Sequence, residues 1–586
     1  MQLRAPVVST VGAAVLVLAL SGCGGHSPSL SQDALQPVPP AQSQVQSPAQ
    51  AGVPRPPPAA SPAPSPAYAP STKATDAAPA AEMHARAAML PRPYYLPPPQ
   101  PADRERYGAI DENGVRLVAQ APVSTFSIDV DTGSYSNMRR LLNAGRVPPA
   151  DAVRVEELLN YFPYDYAPPT DGRPFAVHTA LAPAPWHPAN VLLRIGIQGK
   201  DMAGGALPAA NLVFLVDVSG SMDSPDKLPL LKSSLKLLVN KLRPQDRITL
   251  VTYASGTRVA LAPTPGSDKA AISAAIDQLV AGGSTAGASG IALAYQAAQQ
   301  SFIAGGINRV LLATDGDFNV GVTDFRQLKS MIEEKRKSGV SLSTLGFGTG
   351  NYNEQLMEQL ADAGDGAYSY IDNLMEGNKV LVSEMRSTLA TIARDVKIQV
   401  EFNPATVKEY RLIGYENRML AREDFNNDKV DAGDIGAGHT VTALYELTLA
   451  GQPGLVDPLR YQQAAPSPGR DGELAHVKLR YKRPAASASE LMDVTVARQA
   501  IRPLAQGDDD FRFAAAVAGF GQVLRGGKFT GAWRYDDARA LAQGARGADR
   551  FGYRGEFLKL VDLAQSLATS TPVGRTDSGQ AERAAR

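Results

Sequence analysis

Between residues 211 and 390 short apolar runs alternate with amphipathic segments, and no other feature narrows the fold as much. Residues 212–216 form an unbroken apolar run, which reads as a strand buried on both faces. Leu231, Leu235, Leu238 and Leu242 then recur at helical spacing, one buried face of a helix that Pro229 can start. Further strands are expected at 247–253, 309–314 and 340–347, and helices at 270–279, 291–302 and 324–337. Strands separated by helices of roughly 10–15 residues imply crossover connections and a doubly wound, largely parallel α/β sheet. Such sheets collect their ligands at the carboxyl ends of the strands.

Three loops of this unit carry short oxygen-bearing side chains. The 212–216 strand runs into Asp217-Val218-Ser219-Gly220-Ser221. The 309–314 strand ends in Asp315-Gly316-Asp317, and Gly282-Gly283-Ser284-Thr285 lies between them. Carboxylates and hydroxyls are the hard donors that a small divalent cation accepts while keeping some of its waters. Two carboxylates neutralise one Mg²⁺ on paper. If few direct ligands are anionic, the ion stays electrophilic and can take a carboxylate from outside. Each piece is weak alone; their order on the strand-and-helix pattern gives them weight.

The segments 213–222, 283–287 and 311–317 resemble the von Willebrand factor type A (VWA) family and its metal-ion-dependent adhesion site. The resemblance implies a Rossmann-like VWA fold. It implies that Ser219 and Ser221 ligate Mg²⁺ through their hydroxyls and that Thr285 supplies the third loop's oxygen, with Ser284 as its competitor. Asp217 and Asp315 would act mainly through coordinated water, or directly in one state, and an Asp or Glu of a partner protein would complete the sphere. Mn²⁺ or Ca²⁺ could replace Mg²⁺, because all three accept oxygen ligands. Segments 124–140 and 431–440 look like the regions that flank the VWA domain in bacterial envelope lipoproteins.

The rest of the chain is arranged around this unit. Arg4 precedes an apolar run of about 14 residues, right for a signal peptide and short for a membrane span. It ends in Leu20-Ser21-Gly22-Cys23, which resembles a lipobox, so Cys23 is expected to be acylated and residues 1–23 to be a lipoprotein signal. Gly24 rather than Asp follows, which in Gram-negative lipoproteins leans toward the outer membrane, facing the periplasm. Residues 24–105 read as a disordered linker: 20 of the 45 prolines fall within 24–101, among Ala, Ser and Gln. Residues 106–205 read as an N-terminal α/β region with strands at 124–130 and 190–197 and a helix at 153–162, and residues 206–393 as the VWA domain. Residues 394–505 carry strands at 396–402, 407–413, 440–449 and 476–481, a β-sandwich-like pattern. Residues 506–567 read as helical, with Phe511, Ala515, Ala518 and Val523 on core spacing, and 568–586 as a polar, disordered tail.

Composition excludes several chemistries. The single cysteine forbids an internal disulfide and a Cys-rich zinc site, and the six histidines are scattered. Fifty-eight basic residues balance 58 acidic ones, so no overall basic footprint for nucleic acid is present. No Walker loop follows a strand. Asp131-Thr132-Gly133-Ser134 looks like an aspartic-protease fragment, but no second Asp-Thr-Gly occurs, and a tight turn between strand and helix is the better reading. Asp424, Asn426 and Asp428 have calcium-loop spacing, but Lys429 and Ile435 stand where an EF-hand needs Gly and Glu. Tyr94 and Tyr95 sit among prolines that read as linker.

The expected function is metal-dependent protein binding, with no catalytic residues. Two alternatives stay open at this point: a metal-independent structural envelope component that uses its flanking domains, and a hydrolase. The hydrolase is disfavoured because no histidine or obvious general base accompanies the ligands, and Asp317, the only nearby candidate, reads as a turn residue.

Overall fold

The computed structural model describes residues 104–570 except 203–206, 285–286, 317–324, 458–468 and 485. Cys23, Tyr94, Tyr95, Thr285 and Asp317 lie outside the described residues, as do the signal, most of the linker and the tail.

The alternating region forms a six-stranded sheet in the order Tyr368–Ile371, Ser341–Phe347, Ile307–Thr314, Ala210–Asp217, Arg247–Tyr253, Thr257–Pro265. All neighbours are parallel except the last strand, an antiparallel edge that the sequence pattern did not show. Thr257–Pro265 is largely solvent-facing, and its apolar run, residues 259–262, is only four residues long. The central strand Ala210–Asp217 is buried along its whole length. Because side chains alternate across a strand, Leu212, Phe214 and Val216 pack against the helices Leu228–Lys241 and Lys269–Asp277 on one face. Val213 and Leu215 pack against Gly287–Gln300 and Phe325–Arg336 on the other. Leu231, Leu235, Leu238 and Leu242 are all buried, as their spacing predicts. The doubly wound, largely parallel α/β expectation holds.

The two flanks share their sheets. One five-stranded sheet runs Arg116–Leu117, Val407–Ile413, Thr440–Leu449, His187–Gly199, Phe175–Ala184. The second contains Ile435–Gly436, Thr391–Phe402, Glu473–Lys482 and Glu490–Ala497, with Val123–Ser127 paired to Thr391–Phe402. Every pairing within both sheets is antiparallel. The seam between them is apolar: Leu193, Ile195, Tyr445 and Leu447 of the first sheet meet Ile398, Val400, Val477 and Leu479 of the second. Residues 106–205 and 394–505, which the sequence pattern separates, thus form one β-sandwich. The VWA domain is inserted between its strands His187–Gly199 and Thr391–Phe402. Strand partners so far apart in the chain leave no local signal, which is why sequence pattern divides them.

The C-terminal helices Asp509–Leu524, Tyr535–Gly544 and Tyr553–Ser570 cover the other face of the first sheet, together with Gly133–Asn143 and Val155–Asn160. Leu192, Ile413 and Leu444 point into this layer, while their neighbours Leu193, Leu412 and Tyr445 point into the sandwich. Phe511, Ala515 and Ala518 are buried as expected; Val523 is only half-buried, and Leu524 takes the core position. No helix among the described residues is long and apolar enough to cross a membrane.

The protease-like motif is a strut. Thr132 stands at the cap position of the helix Gly133–Asn143. Asp131 accepts hydrogen bonds from the Tyr368 amide at 2.7 Å and from Arg418 at 2.8 Å. A Cβ on Gly133 would lie 2.2 Å from the Tyr368 ring, so only glycine lets this helix reach the edge strand of the VWA sheet. Gly133→Ala is therefore expected to destabilise the protein by about 1–3 kcal/mol, read as a lower midpoint in chemical denaturation. The calcium-like triplet is dispersed: Asn426 accepts from Arg480, Asp428 from Ser489, and the Asp424 carbonyl from Lys397.

Candidate metal centre

Asp217, Ser219, Ser221 and Asp315 meet at the carboxyl edge of the VWA sheet. The chain crosses from Ala210–Asp217 to Arg247–Tyr253 over one face and reaches Ile307–Thr314 over the other, so a crevice opens where the strand order reverses. Asp217 is the last residue of the central strand and is buried. Its Oδ1 accepts from the Ser219 amide at 2.8 Å. Its Oδ2 accepts from the Thr314 hydroxyl at 2.9 Å and the Tyr253 hydroxyl at 3.1 Å. These donors fix the carboxylate. Burial nonetheless pushes its pKa up to about 6.

The Ser219 and Ser221 hydroxyl oxygens stand 3.1 Å apart. Asp315 is buried opposite them. Its Oδ2 accepts from Lys227 Nζ at 3.0 Å and from Asn351 Nδ2 at 3.1 Å. Burial alone would raise the Asp315 pKa, but Lys227 and the hydrogen bonds from Ser221, Lys227 and Asn351 outweigh it and hold the group below its usual value. Asp217 and Asp315 are thus two buried carboxylates in different settings, one short of positive charge and one supplied with it.

Backbone bonds join the first and middle loops: Gly220 N to Gly283 O at 3.0 Å, and Gly282 N to Val218 O at 2.7 Å. Gly283 has φ +86, and a Cβ there would lie 2.5 Å from Ser255 Oγ, so the turn requires glycine. Ser284 is engaged with Ser255, its amide donating to Ser255 Oγ at 2.9 Å. Thr285 follows directly but lies outside the described residues.

Sequence reasoning missed Lys227, Asn351, Tyr253 and Thr314. Lys227 and Asn351 come from a helix cap and a distant loop, and no spacing rule links them to the acidic strand ends. The Asn351 loop is itself held by the segment where the linker ends: the Arg104 amide donates to Gly350 O and the Arg106 amide to Tyr352 O, both at 2.8 Å. Glu105 accepts from the Gly350 amide at 2.9 Å.

The donor set fits a hard divalent cation. It offers hydroxyl and carboxylate oxygens from separate loops, held by a rigid strand edge. Among the described residues no group of three or more His, Cys, Asp and Glu side chains could hold a metal.

Residues 211–383 match the von Willebrand factor type A domain family, and residues 101–194 match a family described as von Willebrand factor. With the sheet order and the strand-end site, this makes the chain a VWA-domain protein. Residues 387–567 match the family described as Uncharacterized protein YfbK, C-terminal. Uncharacterized protein YfbK of Escherichia coli (strain K12) is 52% identical over 471 residues, covering 79% of this chain and 81% of that protein. The chain belongs to the YfbK family. Uncharacterized protein sll0103 of Synechocystis is 31% identical over 185 residues, 31% of this chain and 43% of that protein. Among solved structures, a von Willebrand factor type A protein from Catenulispora acidiphila is 18% identical with a TM-score of 0.39, covering 67% of this chain and 91% of its own.

Proposed function

We propose that the chain is a divalent-metal-dependent protein-binding module of a bacterial envelope lipoprotein. Ser219, Ser221 and Thr285 would hold Mg²⁺, with Asp217 and Asp315 acting through its waters, and Mn²⁺ or Ca²⁺ able to substitute. The ion would supply an electrophilic position for an Asp or Glu of a partner protein, and the loops around it would set specificity. The observation that carries this reading is the convergence of two serine hydroxyls 3.1 Å apart with two buried carboxylates at one strand edge. Acylation at Cys23 would anchor the protein, on the reading that the leader directs it to the outer membrane facing the periplasm. No catalytic role is proposed.

Partner capture by the full-length protein is expected in Mg²⁺ and not in EDTA, with recovery when Mg²⁺ is restored. Capture that is equal in EDTA would sink the bridging mechanism. It would favour the second reading, a metal-independent structural component, which the buried ion pairs between the VWA domain and the body support. Arg139 is central to them: it pairs with Asp372 and Glu376 of the VWA domain and with Glu556 of the last helix.

A further inference from the structure

Lys227 is a buried cation at the metal centre. It stands at the start of the helix Leu228–Lys241, with its side chain only 8% exposed. Its ammonium donates to Asp315 Oδ2 at 3.0 Å and to Asn351 Oδ1 at 3.1 Å. The backbone makes room for its stem: Gly348 has φ +78, and a Cβ there would lie 2.2 Å from Lys227 Cε. A long side chain threaded past a glycine onto a buried carboxylate is held in place, with its charge fixed beside the proposed ligands.

We propose that Lys227 sets the charge of the metal centre, weakening cation binding and leaving the loaded site with a net positive charge that selects an anionic partner group. This rests on the metal-site reading above. A divalent ion with ionised Asp217 and Asp315 sums to zero; Lys227 raises the sum to one positive charge. One carboxylate from a partner then neutralises the site. A fixed positive charge hydrogen-bonded to a carboxylate of the site opposes the entry of a cation, because the interaction is strong in a partly buried setting. Lys227 is thus a positioning and charge-setting residue, not a ligand.

The test is Mg²⁺ titration calorimetry on full-length wild type, Lys227→Met, Lys227→Gln and Lys227→Arg, with circular dichroism to confirm folding. Gln keeps hydrogen-bonding capacity without charge, so it serves if Met perturbs the fold. The neutral variants should bind Mg²⁺ at least about tenfold more tightly, and Arg should match wild type. Binding by the neutral variants alone would also support the inference. If wild type binds Mg²⁺ and the neutral variants bind with equal or lower affinity, Lys227 is a strut and the inference is overturned. If none of the four binds Mg²⁺, the metal-site reading itself fails.

Discussion

Replacing Ser219 and Ser221 together by alanine is expected to weaken Mg²⁺ binding at least about a hundredfold while lowering folding stability by about 1–2 kcal/mol. The two hydroxyls contact each other, but Ser219 also bonds Asp217 and Ser221 bonds Asp315, so each buried carboxylate loses one of several donors. Asp315 keeps its bonds from Lys227 and Asn351. Asp217→Ala is a less clean experiment. It leaves the Ser219 amide and the Tyr253 and Thr314 hydroxyls without their buried acceptor, which costs about 2–4 kcal/mol. The serine pair therefore separates loss of metal from loss of structure. Calorimetry and thermal melts on the same samples read both. Undiminished Mg²⁺ affinity in the double variant would remove the hydroxyls from the ligand set.

The second large effect is expected where the VWA domain meets the body. Glu354, Glu358 and Asp362 of the VWA domain face Asp129, Asp131, Glu156 and Glu157, and Arg154 and Arg418 lie among them. Glu416 is adjacent and is paired with Arg525. Carboxylates outnumber guanidiniums, and burial is the main reason Asp131, Glu156, Glu157, Glu354 and Glu358 hold protons more tightly than usual. It pushes Glu354 up to about 8, with Glu358 and Glu156 adding to it and Arg154 partly opposing. Burial, Glu416 and Asp129 do the same to Glu156, also to about 8, and burial likewise raises Asp131 and Glu157 well above the usual carboxylate range.

The sign follows from linkage. Groups raised in the folded state bind protons that the unfolded chain releases at about pH 4–5, so their contribution is complete below that range. It is lost as pH rises through about 8. Each such proton gives a slope of about 1.4 kcal/mol per pH unit within the window. Thermal midpoints should fall from pH 5 to pH 9, and Glu354→Gln should flatten the profile. A profile that rises over this range would contradict the charge state assigned to the cluster. Arg154→Met should cost about 3–5 kcal/mol at pH 8, because it strips the cation from buried carboxylates.

Leu231, Leu235, Leu238 and Leu242, the run at 212–216 and the acidic strand ends were legible in sequence because each depends on local periodicity. A buried face repeats every three or four residues, and a parallel strand is apolar throughout. Asp217, Ser219, Ser221 and Asp315 could be named for the same reason: they stand next to the strands that carry them. The pairing of Val123–Ser127 with Thr391–Phe402 could not be read, nor could the single sandwich made from both flanks. Sheet partners are chosen by complementary faces across hundreds of residues, and no window of sequence contains both. The same holds for Lys227 and Asn351 at Asp315 and for the carboxylates around Arg154 and Arg418. Sequence alone determined most strands and helices of the alternating region and which strand ends carry oxygen donors. Tertiary structure decided which charges share a buried space, because electrostatic energy depends on distance and burial rather than on order in the chain.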